Sequence, residues 1–88
     1  MNSLNETPEA RRKRLLWRAS HRGMREMDLL LGGFARTHMD RLTESELDEL
    51  EAIIGLPDQE LMGWILGDHP VPQLQATATL RALLSFRP

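Results

Sequence analysis

The stretch Leu42-Thr43-Glu44-Ser45-Glu46-Leu47 constrains this chain most, because it is a helix start with every part present. Thr43 and Glu46 form a capping box in which each side chain satisfies a backbone N–H of the other, and Leu42 can staple to Leu47 across the first turn. The helix that follows buries Leu47, Leu50 and Ile54, exposes Glu44, Asp48 and Glu51, and stops at Gly55. Similar punctuation recurs along the chain. Thr7-Pro8-Glu9 opens a first helix, with Thr7 as cap, Pro8 where no donor is needed and Glu9 suited to the dipole. That helix carries Leu15, Leu16 and Ala19 as its apolar strip and ends near Ser20. A second begins around Gly23 or Met24 and sets Met24, Met27, Leu31, Phe34 and Ala35 on one face. Gly32-Gly33 weakens it by about 1 kcal/mol per glycine relative to alanine, which predicts a bend or a close helix contact.

Pro57-Asp58 opens a fourth helix, with Leu61, Trp64 and Ile65 inward until Gly67, and Asp68-His69-Pro70 is a loop. Pro72 starts a fifth, in which Ala76, Leu80, Leu83 and Leu84 pack. No segment alternates long enough for a strand, and the loops are short. The expected fold is all-α, a compact antiparallel bundle of about five short helices. Residues 1–6 are expected to form a flexible polar tail and residues 7–88 a single helical domain.

A chain of 88 residues is one domain that buries roughly 60% of its unfolded surface, so its core is thin. It has no cysteine, which excludes disulfides, thiolate zinc sites and cysteine nucleophiles and leaves packing as the stabiliser. No apolar run approaches the roughly 20 residues that cross a bilayer, so no membrane insertion is expected. No secretory signal is visible, and Glu6 and Glu9 argue against a transit peptide; a cytoplasmic protein, or a mature chain, is expected. Net charge is −2 but uneven. Arg11, Arg12, Lys13, Arg14, Arg18, Arg22 and Arg25 crowd the start, whereas residues 40–60 carry acids against Arg41 alone. Such a chain is either a dipole that orients on a partner or a pair of solvated helix faces.

Catalytic chemistry finds little support. His21, His38 and His69 lack the i, i+4 spacing of a helical metal pair, and no nucleophile motif accompanies Asp68-His69. Glu26 and Asp28, two apart, diverge on a helix and cannot share a proton, and Gly32-Gly33 is no phosphate loop. Binding is better supported. Arg14, Trp17, Arg18 and His21 share a face of the first helix away from its apolar strip. There Trp17 either meets a partner, as tryptophan beside arginine does at interface hot spots, or packs over the helix edge between arginine stems. Met24, Met27 and Trp64 read as core or its edge.

The most specific stretch is His21-Arg22-Gly23-Met24-Arg25-Glu26-Met27-Asp28. Gly23 allows a sharp turn between two helical patterns, either simply ending the first or letting a partner backbone approach; in the second case a bulky replacement blocks docking. Arg22 and Glu26, four apart, lie on neighbouring turns if the second helix includes Arg22. Arg22-Gly23-x-x-Glu26-x-Asp28, preceded by Arg14 and Trp17 and followed by Leu61-x-x-Trp64-Ile65-Leu66, resembles the SdhE-type flavinylation factors, also called succinate dehydrogenase assembly factor 2. The resemblance runs from about Arg11 to Pro72. It implies a small helical helper, not an enzyme, that binds the flavoprotein subunit of succinate dehydrogenase or fumarate reductase while FAD becomes covalently attached. In that family the flavoprotein's own histidine attacks the 8α-methyl carbon of the flavin, and the helper holds the flavoprotein's domains in a productive relation. FAD then belongs to the partner. The resemblance makes Arg14, Trp17, Arg22, Gly23, Glu26 and Asp28 the docking surface, with Arg22 and Glu26 bonding to the flavoprotein. A regulatory adaptor or antitoxin is the alternative; the acidic third and fourth helices and the net charge oppose nucleic-acid binding.

Overall fold

The computed structural model describes residues 6–88. The Thr7 hydroxyl accepts from the Ala10 N–H and Pro8 takes the first helical position, so α1 (Pro8–Ser20) begins where the sequence predicts. A corner leads into α2 (Arg25–His38), which tightens into a 3-10 turn at Met39–Arg41. The capping box forms in full: the Thr43 hydroxyl accepts from the Glu46 N–H, the Glu46 carboxylate accepts from the Thr43 N–H at 2.8 Å, and α3 (Glu44–Ile54) follows. α4 (Asp58–Leu66) runs from Pro57 to Gly67, and α5 (Ala78–Ser85) closes the bundle. Among the described residues the fold is all-α, with these five helices and no strand.

Two local expectations need correction. α2 starts at Arg25, because Gly23 turns left-handed at φ 86° and Met24 is extended. Pro72 does not start the last helix. It leads into a 3-10 turn at Gln73–Gln75 without a side-chain cap, whereas the Thr77 hydroxyl accepts from the Leu80 N–H and sets the true start. Ala76 therefore lies outside α5, and Leu74 is left 97% exposed. The expected tail covers residues 1–5, outside the described residues, and Glu6, whose carboxylate is held by Arg14 at 2.7 Å.

The core is continuous. Leu15 and Ala19 of α1 meet Met27, Leu31, Phe34 and Ala35 of α2, and Leu47, Leu50 and Ile54 of α3 join Leu61, Trp64, Leu80 and Leu83. Each fully buried leucine contributes about 2 kcal/mol. α1 and α2 are antiparallel: Arg12 near the start of α1 donates to the Met39 and Leu42 carbonyls beyond α2, at 3.2 and 3.0 Å. Near the other end Ser20 lies against Gly32, where a Cβ would stand 3.0 Å from the Ser20 Cα. The double glycine thus serves the close helix contact. On its far side Phe86 rests on Gly33 and meets Phe34 edge-on at 5.8 Å, tying the end of the chain to α2.

α1 and α3 run side by side in the same direction, and here the charge asymmetry is resolved. Arg11 meets Asp48 at 2.6 Å and Glu51 at 3.0 Å, and Arg14 meets Glu51 at 3.1 Å. At these positions the basic start faces the acidic middle, while Lys13, Arg18 and Arg25 stay on the exposed surface. A β-branched side chain at Gly32 has to displace Ser20 backbone, so Gly32→Val should lower stability by about 2–3 kcal/mol in thermal melts. An unchanged melting temperature would refute the close α1–α2 contact.

Candidate functional site

The corner between α1 and α2 is held from within at Arg22, whose side chain is only 10% exposed. Its backbone N–H donates to the Asp28 carboxylate at 2.5 Å. Its guanidinium donates to the Ile54 carbonyl, to the Leu56 carbonyl at 2.7 Å and to the Asp58 carboxylate at 2.8 Å. α3 ends without a basic residue in its last turn, so its C-terminal carbonyls lack a cation of their own. Arg22 supplies it from the α1–α2 corner and also bonds Asp58 in the first turn of α4.

Gly23 follows this anchor and is exposed, in a left-handed conformation that L side chains adopt only at a cost of about 1–2 kcal/mol. Nothing lies within 4 Å of where its Cβ would be. Glu26 is exposed in the first turn of α2, and no hydrogen bond of its side chain occurs among the described residues. Trp17, 62% exposed, flanks the corner from α1. Its indole stacks on His21 with ring centroids 4.2 Å apart and planes 13° from parallel. The His21 Nδ1 lies 2.7 Å from the Trp17 carbonyl, which only accepts, so Nδ1 donates in this hydrogen bond. These two rings form a fixed platform beside Gly23.

The six residues that the resemblance implicates therefore divide. Trp17, Gly23 and Glu26 are open to a partner. Arg14, Arg22 and Asp28 are bonded to the chain's own groups. Arg22 does not neighbour Glu26 on α2, because it precedes the turn, and its nitrogens already serve acceptors that α3 and α4 bring to it. Arg14 bridges Glu6 and Glu51, and these hydrogen bonds raise its pKa above the ordinary guanidinium value. The same contact holds the Glu6 carboxyl below the usual carboxylate range. At Glu51 burial pushes the carboxyl up, but the bonds from Arg14 and Arg11 outweigh it and the net shift is downward.

Residues that the sequence did not single out complete the site. Leu56, Pro57 and Asp58, from the α3–α4 junction, line a shallow depression of about 390 Å³ with Trp17, Arg18, His21 and Arg22. In the sequence Asp58 shows only as an acid in the first turn of α4, whereas the missing cation at the end of α3 points to a distant arginine. Leu29, 49% exposed one turn beyond Glu26, extends the apolar part of the surface along α2. No group of three or more His, Cys, Asp or Glu side chains able to hold a metal occurs among the described residues.

Fold and corner together define a small helical module with an exposed, internally braced interhelical turn. A family model described as flavinator of succinate dehydrogenase matches residues 13–87, so the match continues through α5, beyond the segment on which the resemblance rests. The chain is 45% identical over 75 residues to the FAD assembly factor SdhE of Acetobacter pasteurianus, an overlap that covers 85% of this chain and 69% of that protein. It is 40% identical over 80 residues to the mitochondrial succinate dehydrogenase assembly factor 2 of Dictyostelium discoideum, covering 91% of this chain and 56% of the relative. The corresponding protein of Meyerozyma guilliermondii is 38% identical over 69 residues, covering 78% and 51%. The chain spans about half the length of these mitochondrial relatives. It belongs to the flavinator family of succinate dehydrogenase.

The lowered pKa of Glu51 sets a pH dependence. Its ion pairs stabilise the fold above the carboxyl's unfolded pKa, and that stability is lost as pH falls through the folded value. Glu51→Gln should therefore melt lower than wild type at pH 7, and the gap should close below about pH 4. A gap that is constant with pH would show that the clamp between α1 and α3 contributes nothing through its charge.

Proposed function

We propose that this chain is an assembly factor that binds the flavoprotein subunit of succinate dehydrogenase, or of fumarate reductase, and promotes covalent attachment of FAD. Membership of the flavinator family supports the reading. The observation in this structure that carries it is the open corner: Gly23 without a side chain, an exposed Glu26 whose carboxylate has no partner among the described residues, and the Trp17–His21 platform beside them. Such a surface suits the recognition of folded backbone. Gly23 admits close approach, Glu26 accepts hydrogen bonds from partner N–H groups or cations, and Trp17 offers a rigid, amphipathic anchor.

The role is ordering, not bond-making. A helper that binds one arrangement of the flavoprotein's domains more tightly raises the population in which the reacting atoms are close and aligned. On this reading FAD stays with the partner, and none of the residues at the corner acts as acid, base or nucleophile. The cytoplasm is the place of action that goes with it, and no helix among the described residues is long and apolar enough to cross a membrane. Nucleic acid is a poor alternative partner, because Arg11, Arg14 and Arg22 already bond to the chain's own acids and carbonyls. No observation of its own favours the adaptor or antitoxin.

Deleting the gene should abolish covalent flavin on the succinate dehydrogenase flavoprotein, read as fluorescence that survives denaturation. Undiminished fluorescence, with no other helper present, would refute the reading. At the surface itself, Glu26→Ala should fold with stability within about 0.5 kcal/mol of wild type yet fail to capture the flavoprotein in a pull-down. Capture at the wild-type level would remove Glu26 from the docking surface.

A further inference from the structure

Arg22 has the chemistry of an interface residue and the environment of a structural one. Its guanidinium is nearly covered, and the acceptors it serves come from α3, from α4 and from the junction between them: the Ile54 carbonyl at the end of α3, the Leu56 carbonyl in the junction, and the Asp58 carboxylate that begins α4. Its own N–H is held by Asp28 on α2. Side chain and backbone are thus pinned by different elements, immediately before the left-handed turn at Gly23. A guanidinium can serve such acceptors at once because its donors form a planar fork, which a lysine ammonium does not reproduce.

We infer that Arg22 is a positioning residue: together with Asp58 it fixes the Gly23 corner against α3 and α4, and it contributes to partner binding through that pairing rather than by touching the partner. The inference rests on the docking role proposed above. It assigns Asp58 and the α3–α4 junction to the function, although they lie far from the corner in sequence. It also separates the corner into contacting groups, Trp17, Gly23 and Glu26, and a buried brace that holds them in register. With the brace released, only the bond from its N–H to Asp28 holds the residue before Gly23, and the partner has to order the turn as it binds. The cost then appears in affinity, while the rate of flavin attachment within the formed complex is retained.

A double-mutant cycle tests this, using the dissociation constant between the full-length chain and the flavoprotein subunit lacking covalent flavin. Asp58→Asn and Arg22→Gln should each weaken binding about tenfold, the size of one charge-assisted hydrogen bond, and the double variant should be no weaker than the worse single one. Asp58→Asn should also leave the flavinylation rate at saturating assembly factor unchanged. Arg22→Lys, which keeps the charge but not the fork, should bind no better than Arg22→Gln. Thr43→Ala, which removes the α3 cap far from the corner, controls for general stability: its melting temperature should fall while its affinity stays at the wild-type value. The inference is overturned if Asp58→Asn binds like wild type while Arg22→Gln is weakened, if the two losses multiply, or if Arg22→Lys restores affinity, since each of these describes a cation that meets the partner directly. It is equally overturned if Thr43→Ala weakens binding as much as Asp58→Asn, because the loss is then one of stability alone. A wild-type chain that does not bind the flavoprotein removes the docking role itself, an outcome distinct from all of these.

Discussion

One guanidinium joins the parts of this molecule that its loops alone leave loosely related. Arg22 sits just past the end of α1, and its donors reach the last carbonyl of α3, the Leu56 carbonyl of the junction and the first carboxylate of α4. A helix end within a protein needs partners for its final carbonyls, and α3, acidic along its length and closed by Gly55, has no cation of its own there. Because the bond network is largely shielded from water, each contact is stronger than at an exposed surface, and losing one member leaves the others poorly satisfied. The position of the chain entering Gly23 follows from where that side chain is held.

A second set of charges orients the same framework from its other end. Arg11 and Arg14 on α1 bond to Asp48 and Glu51 on α3, and Glu6 closes the set from before the first helix. In a domain with so small a core, such pairs select a register rather than supply most of the stability. Apolar packing supplies that, through the buried leucines and the close contact of Ser20 with Gly32. The outcome for function is selective exposure. Arg11 and Arg14 of α1 are neutralised internally, and the groups left at the corner are an aromatic platform, a bare turn, the exposed Arg18 and Arg25, and the Glu26 carboxylate.

The helices were largely legible in the chain because their signals are local. Thr7 with Pro8, the Thr43–Glu46 box and Gly67 act within one helical turn, and the structure places boundaries at each of them. The misses came where two local signals competed. Pro72 is an adequate first residue for a helix, but the capping hydroxyl of Thr77 governs, and Gln73–Gln75 becomes a separate 3-10 turn. At the corner, Gly23 was correctly marked as the turn, whereas the i, i+4 pairing of Arg22 with Glu26 required a helix that the left-handed residue prevents.

The sequence by itself determined the all-α class, the core faces and the position of the exposed turn, since propensity, capping and the three-four rhythm depend on residues at most four apart. Only the tertiary structure decided which charged residues stay free. A long arginine side chain bonds to whatever acceptors a distant segment brings within reach, so Arg22 finds Asp58 and Arg14 finds Glu51 across intervals that no local rule spans. Glu26 keeps its carboxylate open because, among the described residues, the fold brings no donor to it.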